Sequence, residues 1–284
     1  MSLKKGIKKL INKIKGIPSG MMKPWYDELY AKTLELNNSR NIKTLSLGSS
    51  HGAYGFYAAK FSDNAFNLSS TSQDLYSSFE LSKSLPDGLE KLIIFYSVFS
   101  PGYEVQKTKD FQVCAYLKAF LNIPYKYPDL KKAELDCFAS AAKKITSQKS
   151  YQKIRSEQGY LFSTFHYPPD IKLFAERRAE THLRENLRNT NQTEYLKSIK
   201  EICDKDNISL YVVMAPAHVE YKNNLPPSSE LFKDLFTLAK KYDINIINLY
   251  DNDSFEGKDF GDFDHLNQEG AEKLTLMLKD YIGA

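Results

Sequence analysis

A chain of 284 residues with 26% charged and 42% hydrophobic side chains has the make-up of one globular α/β domain, long enough to bury a sizeable core. Its net charge of +4, from 39 basic and 35 acidic residues, is too small an excess to mark nucleic acid as the partner. Three cysteines stand far apart at Cys114, Cys137 and Cys203, which argues against a disulfide framework and against a zinc site; reduced thiols in a cytoplasmic protein are expected.

Residues 4–17 read as a short amphipathic helix. Ile7, Leu10, Ile11, Ile14 and Ile17 share one face, and six lysines crowd the rest. Peripheral contact with an anionic membrane, at its inner face, is one reading; a helix packed on the domain, or a frayed basic arm, is the plainer one. No apolar run is long enough to span a bilayer as a helix, and the segment lacks the apolar core and cleavage site of a secretory signal. Residues 1–24 are therefore set apart from a domain at 25–284.

Within that domain Trp25–Asn37 is predicted helical, and Ile42–Leu47 forms a first strand that runs straight into Gly48-Ser-Ser-His-Gly52. Ala65–Leu68 is a short second strand. Asp74–Leu85 is a helix ended by Pro86, Asp87 and Gly88. Lys91–Tyr96 is a continuous apolar run suited to a parallel strand buried on both faces. The stretch at about 108–189 has helical pieces at Phe111–Leu121 and Leu130–Ile145, a basic cluster at Arg177, Arg178, Arg184 and Arg188, and no strand run; it reads as a helical insertion or lid. Thr193–Asp206 is a helix, Ile208–Met214 a strand, Ser228–Tyr242 a helix, Ile244–Leu249 a strand, and Gln268–Ile282 a helix capped by Asn267. Alternating strands and helices give an α/β fold, a flavodoxin-like doubly wound parallel sheet of about five strands, whose sites lie beyond the carboxyl ends of the strands.

Two motifs carry chemistry. Gly48-Ser49-Ser50-His51-Gly52 follows the first strand at once. A nucleophilic serine needs a tight turn with small neighbours, and its own amide can face a developing oxyanion. A plain β–α turn is the competing reading, and His51, adjacent to Ser50, would seldom face it. Near the C-terminus, Asp262 and His265 stand at i and i+3 in Phe260-Gly-Asp-Phe-Asp-His-Leu-Asn267. A carboxylate at that spacing can hold one imidazole nitrogen and leave the other free to take a proton from serine. Asp264 is the alternative carboxylate, but it directly precedes the histidine and is expected to point elsewhere.

Together these blocks resemble the SGNH, or GDSL-type, hydrolase superfamily. That family has its nucleophile just after the first strand and an Asp-x-x-His block near the C-terminus. Leu47-Gly48-Ser49-Ser50 stands for the first block, with Ser49 in place of the usual Asp. Asp262, His265, Asn267 and Gly270 match the last. The resemblance implies Ser50 as nucleophile, His265 as general base and Asp262 as its partner. The middle blocks depart. Ser72 sits where an oxyanion-hole glycine is expected, and Tyr96-Ser97-Val98-Phe99-Ser100 offers no Asn, leaving Ser97 or Ser100 as the substitute donor. Loss of one oxyanion donor costs about 3 kcal/mol of transition-state stabilisation. Such departures are similar to a branch that handles acyl groups on bacterial cell-surface polymers, including D-alanyl transfer proteins of teichoic acid synthesis. The ordinary α/β-hydrolase does not fit, because its elbow follows several strands and its acid and histidine come from separate loops.

The expectation is thus a serine esterase or acyltransferase working through an acyl-enzyme on O-acyl, chiefly O-acetyl, groups of a carbohydrate or cell-surface polysaccharide. The alternative is a catalytically weak or inactive member that binds a glycan or a partner in polysaccharide assembly. Ser72, Ser97 and His218, the last beyond the strand Ile208–Met214, are expected around the substrate. His166 and His182 have no partner evident in the sequence, and no spacing suggests a metal or cofactor.

Overall fold

Lys91–Tyr96 alternates its side chains between two hydrophobic layers, and that alternation organises the molecule. In the computed structural model, which describes residues 18, 21, 23–148, 154–162, 170–186 and 190–283, Leu92, Ile94 and Tyr96 face one core, while Ile93 and Phe95 face another. The basic segment 4–17, Arg188 and His166 lie outside the described residues.

Five parallel strands form the sheet: β1 (Thr44–Gly48), β2 (Ala65–Asn67), β3 (Lys91–Tyr96), β4 (Ser209–Met214) and β5 (Asn245–Asn248). Their spatial order is β2-β1-β3-β4-β5, all pairs parallel. This is the flavodoxin-like doubly wound order, and the chain reverses direction across the sheet between β1 and β3. Sites in such sheets collect at the carboxyl ends of the strands flanking the reversal, where Gly48 and Tyr96 lie.

Helices cover both faces. The C-terminal helix (Gln268–Ile282) lays Leu274, Leu278 and Ile282 on the side of Ile93 and Phe95. Its cap is the predicted one: the Asn267 side chain accepts from the Gly270 amide. The opposite face receives α1 (Lys23–Asn38) and the helices Gln112–Leu121, Lys132–Thr146, Tyr195–Lys205 and Lys233–Tyr242. Val113, Leu117, Leu135 and Phe138 join the same core as Tyr26 and Leu29, so much of the predicted insertion is part of the helical layer. A further helix, Ile171–Asn186, comes from the same stretch and reaches the carboxyl edge of the sheet.

The structure differs from expectation in two elements. The predicted helix Ser228–Tyr242 breaks at Phe232, whose backbone leaves helical geometry (φ −110°, ψ 17°). Its ring is buried between Tyr96 and Tyr250, and that burial outweighs helix continuity. A two-stranded hairpin, Ser156–Glu157 with Tyr160–Leu161, also stands where no strand was expected. Its turn residue Gln158 accepts from the Asn67 amide and donates to the carbonyls of Ser62, Asp63 and Ala65. That turn covers the exposed edge of β2, which would otherwise invite pairing with another chain.

Asn67, fully buried at the end of β2, ties the serine turn to the sheet. Its carbonyl oxygen accepts from Ser46 Oγ and the Ser69 amide, both at 3.0 Å. Its amide nitrogen donates to the carbonyls of Gly52, Ala53 and Phe56 at 2.9, 3.3 and 2.7 Å. Asn67→Ala orphans these groups together and is expected to cost about 3–5 kcal/mol. Urea unfolding checks this; a change below 1 kcal/mol would show the network to be replaceable by water.

Candidate active site

The serine turn is shaped by contact with β3. Gly48 has φ +141°, and a Cβ there would meet Phe95 Cβ and O at 2.8 Å. A Cβ on Gly52 would meet Ser69 Oγ at 2.5 Å and the Phe95 ring at 2.8 Å. Both glycines of the motif therefore let backbone lie directly on β3. Ser49 stands at the N-cap position of the short helix α2 (Ser50–Gly55) without a side-chain cap bond, and Ser50 is its first residue, with an amide that has no acceptor inside the helix.

The other half of the site is the loop between Phe260 and Asn267. A bridge from Phe260 to Leu266 closes it, and the Gly261 amide donates to the His265 carbonyl at 2.9 Å. Asp262 Oδ1 accepts from the amides of Asp264 (2.9 Å) and His265 (2.8 Å). This Asx turn is the local reason an Asp at i can face a His at i+3. The imidazole Nδ1 of His265 then lies 3.0 Å from Asp262 Oδ2, and its Nε2 lies 2.8 Å from Ser50 Oγ. Residues from near the two ends of the described chain thus form one continuous Ser–His–Asp chain of contacts.

Asp264 does not point away as expected. Because the loop turns back at Asp262, its carboxylate also reaches His265 Nδ1, at 3.2 Å. It is 2% exposed, with Oδ2 at 3.5 Å from His51 Nε2 and 3.9 Å from Arg178 Nε. Burial would favour the neutral acid, but His265 and Arg178 hold Asp264 well below the usual carboxylate range. Burial alone would lower the pKa of His265; Asp264 and then Asp262 outweigh it and raise it to about 10.

The other expected residues fall in three places. Ser72 lines the cleft beside Ser50. Its φ of +60° is the left-handed conformation a glycine would take, which explains how it occupies a glycine position. Its hydroxyl lies 3.4 Å from Asp110. The turn that carries it is held by α1, since Glu28 accepts from both the amide and the hydroxyl of Thr71.

Ser97 does not line the cleft. Its hydroxyl is 2.5 Å from His51 Nδ1 and 3.1 Å from Ser49 Oγ, and its amide donates to Ser100 Oγ. Ser97 is therefore engaged beneath the serine turn, and Ser100 Oγ accepts from the Ser97 amide. His218 also lies apart from the cleft. Its Nδ1 accepts from the Glu220 amide and its ring packs edge-on against Phe260, so it stabilises a loop.

A cleft of about 660 Å³ opens over Ser50 and His265. Aromatic rings of Trp25, Tyr54, Phe99 and Tyr103 line it, together with Lys107, Lys109, Arg178 and Arg184. His182 contributes from Ile171–Asn186; its Nδ1 is 2.5 Å from Tyr221 OH and its ring packs on Phe99. Burial lowers its pKa to about 3, so it is a neutral wall residue. Asp264 and Arg178 are the site residues that sequence reasoning missed. The Asp-x-Asp-His pattern was a usable signal for the first; nothing in the sequence ties Arg178 to Ser50.

The arrangement can pass a proton from Ser50 Oγ to His265 Nε2 while two carboxylates stabilise the resulting imidazolium.

Comparison with known proteins adds little to this geometry. A family model that carries no description matches residues 160–284, less than half of the chain. No curated protein matches. A solved structure from Desulfitobacterium hafniense DCB-2, assigned to the G-D-S-L family of lipolytic proteins, aligns at 13% identity over 84% of this chain and 99% of that one, with a TM-score of 0.41.

Proposed function

We propose that the protein is a serine esterase or acyltransferase of the SGNH type, acting on O-acyl groups of a carbohydrate through an acyl-enzyme. The observation that carries this reading is the unbroken contact from Asp262 Oδ2 to His265 Nδ1 (3.0 Å) and from His265 Nε2 to Ser50 Oγ (2.8 Å), at the floor of a cleft. Ser50 Oγ attacks the ester carbonyl as its proton moves to Nε2. The amides of Ser50 and Ser72 hold the oxyanion. His265 then returns the proton to the leaving alcohol, and water or a sugar hydroxyl releases the acyl group from Ser50. Aromatic rings in the cleft suit stacking against sugar faces. An O-acetyl group and a cell-surface polysaccharide acceptor are the finer part of the proposal.

The test is acetate release from an O-acetylated oligosaccharide, with and without a free sugar acceptor. Hydrolysis gives acetate in both; transfer gives acetylated acceptor. Release of neither, by a chain that also leaves aryl acetates intact, would overturn the enzyme reading.

A second reading is a glycan- or partner-binding protein of polysaccharide assembly without turnover. It is favoured by Ser97, whose hydroxyl is engaged by His51, and by the absence of both Ser97 and Ser100 from the cleft lining, which leaves a third oxyanion donor without a candidate there. Absence of one donor costs about 3–4 kcal/mol, or 10²–10³ in rate, which slows a hydrolase without silencing it. Oligosaccharide binding in the absence of any ester cleavage would select this reading. As to membrane contact, no helix among the described residues is long and apolar enough to cross a membrane.

A further inference from the structure

Behind the nucleophile, His51 and His265 lie stacked with ring centroids 5.2 Å apart. The Asp264 carboxylate stands against both rings. One ligating atom from each of the three residues lies within 4.8 Å of the other two. Three features of this cluster bear on a role beyond the serine chemistry. The His51 Nε2 to Asp264 Oδ2 separation, 3.5 Å, is long for a charge-assisted hydrogen bond, which closes to about 2.7–2.9 Å. Asp264 Oδ1 is buried and pairs with His265 Nδ1 at 3.2 Å as an ion pair outside good hydrogen-bond geometry. His51 Nδ1 is occupied by Ser97 Oγ at 2.5 Å, which fixes the ring and aims Nε2 inward.

Two of these separations, 3.5 Å from His51 to Asp264 and 3.2 Å from His265 to Asp264, are close to donor spacing around a metal ion, and one donor atom of each residue lies within 4.8 Å of the others. Ligand bonds of about 2.0–2.1 Å place neighbouring donors of a tetrahedral ion roughly 3.3–3.4 Å apart. A metal-bound histidine characteristically has its second nitrogen held by an outer partner, the role Ser97 plays for His51. Two imidazoles and one carboxylate are a donor set for zinc or a similar borderline ion, with a fourth position open. An entry path exists, because Asp264 and His265 line the cleft.

We infer that His51, Asp264 and His265 form a binding site for one zinc-type ion, and that its occupation switches the serine site off. The switch follows from the proton count. The competent ring carries its proton on Nδ1; coordination there displaces that proton to solvent, and the neutral ring, its Nδ1 lone pair given to the ion, takes a proton from solvent on Nε2. The nitrogen facing Ser50 Oγ is then a donor and cannot accept the serine proton. The switch rests on the proposed serine chemistry; the binding site does not. Sequence spacing hides the site, because its donors come from opposite ends of the domain.

The test uses the full chain after chelator treatment. Zinc chloride titrated by calorimetry is expected to bind at one ion per chain, and to lower aryl-acetate turnover at least tenfold at saturation. His51→Gln is expected to keep the turnover of the chelator-treated chain while weakening zinc binding and inhibition at least tenfold. Circular dichroism confirms its fold, and Cys137→Ser, at the exposed thiol, is expected to bind zinc like the parent. Absence of stoichiometric binding, or binding untouched by His51→Gln, overturns the site. Binding without inhibition overturns the switch. If the chain cleaves no ester, the serine reading and the switch fail together, while calorimetry still decides the metal site.

Discussion

Ser50→Ala is expected to lower turnover of an activated acetyl ester by about 10⁴-fold or more. The residue supplies the attacking oxygen, which stands 2.8 Å from His265 Nε2. KM should change little, because one missing hydroxyl leaves the aromatic walls and the oxyanion amides in place. Stability should change little as well, since Ser50 is only half-buried and its helix is held by Asn67. His265→Ala should be as damaging, and the double variant no worse than either single one, since the two residues act as one unit. Activity in Ser50→Ala within tenfold of the parent would mean that water attacks by a route that bypasses the serine.

The second large effect concerns pH. Two carboxylates share one imidazole nitrogen, so the charged form of His265 is favoured and its pKa lies near 10. Only neutral imidazole can accept the Ser50 proton. At pH 7 the neutral form is then the minor one. In chelator-treated protein, kcat/KM should rise close to tenfold per pH unit above neutrality and level off well above the ordinary histidine range. Asp264→Asn removes one of the charges. The limb should move down by at least one unit, and activity at pH 7 should increase rather than fall. Asp262→Asn should instead reduce activity at every pH: its Oδ1 can still accept the turn amides, but an amide NH2 in place of Oδ2 cannot accept from His265 Nδ1–H and favours the wrong tautomer. The sign for stability follows. Because the folded pKa of His265 is raised, its contribution is fully present below about pH 6.5, the unfolded value, and is lost as pH rises through about 10. A pH-rate limb near the ordinary imidazole value, unmoved in Asp264→Asn, would contradict this electrostatic account.

Much of the fold could be read from the chain because its signals are local. Leu92–Tyr96 is apolar throughout and becomes the body of the central strand β3; Asn267 caps the last helix as its position suggests. The i, i+3 placement of Asp262 and His265 was legible for the same reason, since an Asx turn is a property of a few neighbouring residues. The failures share a cause. Ser97 and His218 were placed by strand ends, but the direction of a side chain beyond a strand end depends on what it packs against. Ser97 turned under the nucleophile to His51, and His218 turned to its own helix. Asp264 was set aside because adjacent residues normally diverge, yet the loop folds back so that both carboxylates face the same nitrogen. Arg178 enters from a helix that no local pattern links to the site. The break at Phe232 follows an aromatic ring's burial, a tertiary preference that overrides helix propensity.

Covalent labelling tests the central geometry most directly. The chain is treated with a fluorophosphonate near pH 9, and the modified peptide is located by mass spectrometry. One adduct on Ser50 is expected, strongly slowed in His265→Ala. An unlabelled Ser50 in the folded chain, or labelling that proceeds equally well without His265, would show that hydroxyl and imidazole do not work together.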